Sequence, residues 1–359
     1  MPEAGSQGGP AACEPPFNDE LRCLGHEVVE ETYAFAGAAS GLTRVNRVLG
    51  TARRFQECVR DSTFDLVHIN TSFDKKALLR DAVVVPRLCA LGAKVFLKFH
   101  GSDARLLETK NPGLATLRRR LLSYADGIGV LSTEEQANFL RSGVPEQKIF
   151  VVKNVVEKNT QQRDSGFLRR WSLPEDRPLL LFIGRFIPAK GLLDVITACG
   201  LLRDRGQQFL LLCLGDGPAR PDAEALVKRL NLQDHARFFG YIPEEQTAGF
   251  YSNSDVLCFP TYHFEGFPMV IFNAAAAGLP IVTTRIRAAA DYLQEPENCL
   301  WAEPQRPDSL ADKLSEILTN QELRSLMAGN NKELAARFSA AIVTAEYVNV
   351  YQQITRTAP

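Results

Sequence analysis

Short runs of uninterrupted apolar residues, each followed by a longer stretch of helical period, are what most limits how this chain can fold. "DLVHIN", "KVFLKFH", "DGIGVLS" and "KIFVVKN" stand in the first half, and "PLLLFIG", "QFLLLCLG", "ARFFGY", "DVLCFP" and "LPIVTT" in the second. A strand that is apolar on both faces needs both faces covered, as in a parallel sheet lying between helices. The chain has 359 residues, 45% of them hydrophobic, enough for two domains with separate cores. The pattern predicts an α/β protein of two doubly wound, Rossmann-like domains facing a cleft.

The expected domains are residues 1–157 and 172–340. Between them "VEKNTQQRDSGFLRRWSLPEDRP", residues 156–178, is polar, has no clear period and ends in prolines, which marks it as a linker. The amphipathic "AIVTAEYVNVYQQI" predicts a last helix, within 341–359, that folds back onto the first domain. In open α/β sheets a ligand lies beyond the carboxyl ends of the strands, so the residues just after each run are the binding candidates.

The start of the chain departs from this scheme. "MPEAGSQGGPAACEPPFNDELRCLGHEVVE" opens with loop residues, and no apolar strand precedes its glycines. Either the first strand of the N-terminal domain is missing or the working chain begins upstream of Met1, and the second is the favoured expectation. Near the other end, "DSLADKLSEILTN" has a helical period with Asp308 as its expected N-cap.

Composition excludes several classes of function. A formal charge of -1 lacks the basic excess that nucleic acid demands. The cysteines are scattered without a CxxC, so neither a zinc site nor a disulfide framework follows, and core thiols in a reducing cytoplasm are expected. The longest apolar runs fall far short of the ~20 residues that cross a bilayer, and no signal-like start is present. Arg118, Arg119 and Arg120 form a basic cluster, read either as a solvated helix face or as a contact with an anionic membrane surface, peripheral to the inner face of the cell membrane.

The chemistry concentrates where strands stop. In "LFIGRFIPAKG" an apolar strand runs into Gly184 and Arg185, and Lys190 and Gly191 precede the helix "LLDVITACGLL". Glycine lets backbone approach a ligand, and a helix N-terminus offers free N–H groups and partial positive charge. Two cations beside that end suit a diphosphate, and no Gly-Lys-Ser/Thr follows, so this is not a Walker loop. "LCLGDGPAR" repeats the arrangement with Gly215 and Gly217, although such a turn alone is weak evidence. "KFHGSD" puts His100 at the end of a first-domain strand, a candidate polar contact to substrate.

Together, "GRFIPAKG", "GDGP", "HGSD", "VVKNVVE" and the long "FFGYIPEEQTAGFYSNSDVLCFPTYHFEGFPMVIFNAAAAGLPIV" resemble the family 4 retaining glycosyltransferases of the GT-B fold, over nearly the whole chain. The resemblance implies an N-terminal domain for the acceptor and a C-terminal domain for a nucleotide-diphospho-sugar. It implies that Arg185 and Lys190 clamp the diphosphate beside Gly184 and Gly215. Glu265 with the backbone of Gly266, Phe267 and Pro268 would hold donor-sugar hydroxyls. Tyr241 and Ile242 would receive the base, His100 would lie near the sugar, and Gly8 and Gly9 would form the glycine-rich loop beside the phosphates.

One position breaks the family's pattern. The second of two glutamates separated by seven residues, which usually binds ribose hydroxyls, is Asn273 here. An amide supplies no charge, so weaker donor binding is expected. The implied reaction transfers a sugar to an acceptor hydroxyl, glycan or lipid-linked, with retention of configuration, in polysaccharide or glycolipid synthesis. It needs no cofactor, and the absence of any Asp-x-Asp fits a metal-independent mechanism. A catalytically weakened nucleotide-sugar binder is the alternative that Asn273 and the missing strand suggest. A GT-B nucleotide-sugar epimerase is a further one, opposed by the Glu265 segment followed by Pro268.

Overall fold

Each apolar run becomes a strand, and all strand pairs are parallel. The computed structural model describes residues 9–33, 41–159 and 161–356. Their contacts separate two units, the first formed by the residues up to Val155, Phe264–Phe267 and those from Ala340 onward, the second by Val156–His263 and Pro268–Ser339.

The first unit runs α1 (Gly9–Cys23), α2 (Gly41–Asp61), β1 (Val67–Phe73), α3 (Lys75–Cys89), β2 (Val95–Ser102), α4 (Ala104–Leu107), α5 (Pro112–Tyr124), β3 (Gly127–Val130), α6 (Thr133–Arg141) and β4 (Ile149–Val151). Its sheet has the order β1-β2-β3-β4. The first described element is thus a helix, which begins among residues that the sequence reads as loop and runs into the helix-like segment before "GHEVVE". Pro15 and Pro16 remove two backbone donors from α1. The helix nevertheless buries Cys13, Phe17 and Leu21, and tertiary burial outweighs local propensity. Gly9, expected in a loop, is the first residue of this helix, and Gly8 lies outside the described residues.

The second unit contains α7 (Ser165–Arg170), β5 (Leu179–Ile183), α8 (Leu192–Asp204), β6 (Leu210–Leu214), α9 (Arg220–Arg229), β7 (Ala236–Gly240) and α10 (Glu244–Asn253). It continues with β8 (Val256–Phe259), α11 (Met269–Ala276), β9 (Ile281–Thr283), α12 (Arg287–Tyr292), β10 (Cys299–Trp301), α13 (Pro307–Thr319) and α14 (Gln321–Ala336). The sheet order is β10-β9-β8-β5-β6-β7. From Leu179 to Phe182 the residues of β5 are 0% exposed, as strands covered on both faces should be. β10 was not expected, because three residues between polar stretches carry no readable alternation.

Two further expectations are corrected. Residues 156–178 are not a free linker: Asp164 caps α7 by accepting from Gly166 N and Phe167 N, and the rings of Phe167 and Trp171 lie 5.1 and 4.9 Å from that of Phe250. Asp308 is not the cap of α13, since Pro307 already occupies its first turn; Asp308 instead pairs with Arg306 at 2.7 Å.

The last described element is α15 (Ala340–Arg356), which belongs to the first unit. Tyr347 stacks edgewise on Phe17 at 4.8 Å, Lys153 pairs with Glu346 at 2.6 Å, and Tyr351 Oη lies 2.6 Å from His68 Nδ1. Cys13, Cys199, Cys213, Cys258 and Cys299 are buried. Among the described residues no helix is long and apolar enough to cross a membrane.

Candidate functional site

In the second unit the carboxyl ends of β5, β6 and β7 are stitched together through glycine. Gly184 N donates to Leu214 O at 3.0 Å, Gly215 N to Gly240 O at 2.7 Å, and Phe186 N to Asp216 O at 2.8 Å. Gly215 has φ +128°, and a Cβ built on it would stand 1.9 Å from Gly184 O. No side chain fits there, so the ends of these strands form a floor of bare backbone.

Beyond that floor the chain makes a 3-10 turn, Pro188–Lys190, and enters α8 through Gly191 at φ +81°. Gly191 offers no capping side chain, so N–H groups of the first turn of α8 stay available to a ligand. Ala189 O accepts from Tyr262 N at 2.9 Å, which pins this turn to the segment after β8. Arg185 is exposed, whereas Lys190 is 7% exposed with Nζ 5.3 Å from the centre of the Phe259 ring. Burial, then the charge of Arg185, pushes the Lys190 ammonium down to about 7.

A third cation was not anticipated. Arg287 is 4% exposed and holds φ +36°, a conformation that costs a residue with a side chain about 1–3 kcal/mol. Burial brings the His263 imidazole down to about 4, and the charges of Lys190, Arg185 and Arg287 add to that effect. Three positive groups therefore act on one neutral ring. The only sequence trace of Arg287 is a positive side chain just after a strand, too common to single out.

Asn273 lies on α11, with Pro268 as that helix's N-cap. Its Nδ2 donates to Glu244 Oε1 at 3.2 Å, and it shares a hydrogen bond with the buried Tyr251 phenol. A glutamate at 273 would set two carboxylates against each other. The amide instead holds the carboxylate of Glu244, four residues beyond β7, and Tyr241 and Ile242 stand between, Tyr241 being 52% exposed.

The first unit brings His100 together with the segment after β8. A Cβ on Gly266 would meet His100 O at 2.9 Å and Glu135 Oε2 at 3.0 Å, so Glu265–Phe267 runs directly along the end of β2. Glu135 is 0% exposed and accepts from Ser102 Oγ at 2.7 Å and Leu131 N at 3.2 Å. Its own N–H donates to Ser132 Oγ, the N-cap bond of the S-x-x-E pattern in "STEE".

His100 is set by a chain of buried groups. Lys98 Nζ donates to Glu14 Oε1 at 2.7 Å, and Asn70 Nδ2 donates to Glu14 Oε2 at 3.0 Å. A carboxylate only accepts, so the Asn70 amide turns its Oδ1 to His100 Nε2, 2.8 Å away. The imidazole proton then sits on Nε2, and Nδ1 keeps its lone pair. Burial, then the Lys98 charge, brings His100 down to about 3, a neutral ring at ordinary pH. Burial alone would raise the Glu14 carboxyl, but the charge and hydrogen bond of Lys98 together with the neighbouring His100 and His68 hold the group well below the usual carboxylate range.

Cys13, Glu14 and His100 present ligand atoms within 4.8 Å of one another. Lys98 already neutralises Glu14, and burial pushes the Cys13 thiol far up, so this donor set does not suit a cation. A cavity of about 840 Å³ along β1, bordered by His26, Tyr33, His68, Asn70 and Tyr351, contains none of the expected site residues.

Comparison with known proteins matches residues 167–334 to the glycosyl transferases group 1 and residues 10–155 to the glycosyl transferase 4-like domain. An uncharacterized glycosyltransferase of Methanocaldococcus jannaschii is 26% identical over 83% of this chain and 78% of its own. The D-inositol 3-phosphate glycosyltransferase of Corynebacterium glutamicum is 23% identical over 90% and 77%. The alpha-D-kanosaminyltransferase of Streptomyces kanamyceticus is 28% identical over 55% of this chain, which spans about half of that relative, 51% of its length. Among solved structures, Anabaena HepE in complex with UDP-glucose aligns with a TM-score of 0.77 at 16% identity over 97% of both chains. A Rickettsia africae glycosyltransferase aligns at 0.76 and 16%, over 100% of this chain and 98% of that one. The fold is GT-B.

The buried ion pair generates a stability prediction. Lys98→Met leaves the Glu14 charge unpaired and should cost about 3–5 kcal/mol in urea unfolding, whereas Glu14→Gln with Lys98→Met should recover most of that loss. A single variant as stable as the parent would mean that water reaches Glu14.

Proposed function

The chain belongs to the group 1, family-4-type glycosyltransferases, and on that premise we propose that it moves a sugar from a nucleotide-diphospho-sugar to an acceptor hydroxyl with retention of configuration. The observation that carries this reading is the backbone floor of Gly184 and Gly215 beside the open end of α8, with Arg185 and Lys190 attached to it. Backbone N–H groups and two cations suit the oxygens of a diphosphate. The UDP-glucose held by the Anabaena structure supports a donor of this class.

Each cation contributes roughly 4 kcal/mol with one phosphate charge at about 4 Å and an effective dielectric near 20, before desolvation is subtracted. Stabilising the departing diphosphate is the protein's main contribution to the rate, together with holding the reactants in line. The leaving phosphate takes the acceptor's proton on the face from which it departs. His100, neutral and with a lone pair on Nδ1, accepts a hydrogen bond from a substrate hydroxyl and adds no charge there. Glu265 and the backbone of Gly266 and Phe267 hold hydroxyls of the donor sugar, and Arg287 reinforces the positive field around the diphosphate. The product belongs to polysaccharide or glycolipid synthesis.

Glu244 takes the part that position 273 lacks. A carboxylate can accept from both hydroxyls of a ribose, and Asn273 orients this one.

Arg185→Ala and Lys190→Ala should each lower sugar transfer by about a hundredfold or more with circular dichroism unchanged; full activity in both would remove the diphosphate site. Lys190 loses its proton near pH 7 in the free protein and keeps it when a diphosphate binds. Calorimetry should therefore detect proton uptake on UDP binding above that pH, with affinity falling roughly tenfold between pH 7 and 8.5. A flat profile would contradict the buried-ammonium assignment. Glu244→Gln should weaken UDP by about tenfold and leave 2′,3′-dideoxy-UDP unchanged, while an equal loss for both nucleotides would remove the ribose contact.

A further inference from the structure

The cluster "RRR" in α5 is not one solvated face. Arg119 and Arg120 are exposed, but Arg118 is only 8% exposed, and its Nε is buried with no hydrogen-bond partner among the described residues. It enters a cavity of about 290 Å³ that it lines with Arg119, Lys148, Ser123, Ser142 and Gly143, and no carboxylate lines that cavity. Lys148 is fixed there by donating to Ala125 O at 2.7 Å and Ser123 O at 3.3 Å.

A guanidinium whose Nε is buried without a partner is costly, and a like charge beside it raises the cost. Burial, then Arg119, accordingly lowers the affinity of Arg118 for its proton. A tetrahedral oxyanion removes that penalty: it accepts several N–H bonds at once in the geometry a guanidinium offers. The cavity lies at the small end of the range for ligand pockets, fit for a single phosphate group. It also sits at the amino ends of β3 and β4, away from the carboxyl ends where His100 stands.

We propose that Arg118, Arg119 and Lys148 form a binding site for a phosphate-type anion, separate from the donor site. The group bound is a phosphate monoester, carried either by a soluble molecule or by a lipid headgroup.

Inorganic phosphate at constant ionic strength is the probe for the full chain, followed by thermal unfolding and calorimetry. Because the donor site would also take phosphate, measurements are made in the Arg185→Ala, Lys190→Ala background. Phosphate should raise Tm there, and Arg118→Met should lower phosphate affinity by at least tenfold. Arg118→Met should also raise Tm in phosphate-free buffer, since it removes an uncompensated buried charge. The exposed Arg119→Gln, which leaves the interior untouched, should weaken phosphate several-fold.

Phosphatidylcholine vesicles with and without phosphatidic acid distinguish the sources. Sedimentation that requires phosphatidic acid, needs Arg118 and is displaced by phosphate supports the site with a lipid headgroup as its ligand. Phosphate binding without vesicle binding supports a soluble ligand. Absence of any phosphate-dependent shift, or unchanged affinity in Arg118→Met, overturns the proposal.

Discussion

The candidate donor site depends on one close approach, that of the Gly184 carbonyl to the place where a Cβ on residue 215 would stand. β5 and β6 are held side by side by their parallel ladder, and their ends can come this near only because residue 215 carries no side chain. Everything else at the site is arranged around that exposed backbone. The cations approach it from the turn after β5, the open helix end follows directly, and the tyrosine after β7 stands beyond a third glycine.

The two units handle charge in two different ways. In the second unit burial and the neighbouring positive charges make Lys190 and His263 hold their protons weakly. Such a field is unfavourable in itself and would be relieved by an anion. In the first unit the opposite holds. Glu14 and Lys98 are paired completely inside the protein, and the pair fixes the amide of Asn70 and through it the ring of His100. One arrangement keeps charge available and the other uses charge for position.

At position 273 the amide is tied to an acid from another helix, since Asn273 Nδ2 donates to the carboxylate of Glu244 at the start of α10. Two acids at that spacing would repel, so the asparagine and the glutamate make sense as a pair. Arg118 is a comparable case on the first unit, where a buried cation with no acid beside it marks a surface that answers to anions.

Much was legible in the residues alone. The parallel sheets followed from continuous apolar runs, since such strands have no wet face, and Gly184, Arg185 and Lys190 stood out as candidates because they follow a strand and precede a helix. The helical course of α1 through Pro15 and Pro16, the three-residue β10 and the helix within 156–178 were not legible, because packing against distant residues stabilises them and local pattern does not. The same reason hid Glu244, Glu135 and Arg287: a polar residue acquires its role from the partner that tertiary structure brings beside it. Order along the chain decides which residues end a strand, and only the fold decides which of those ends meet.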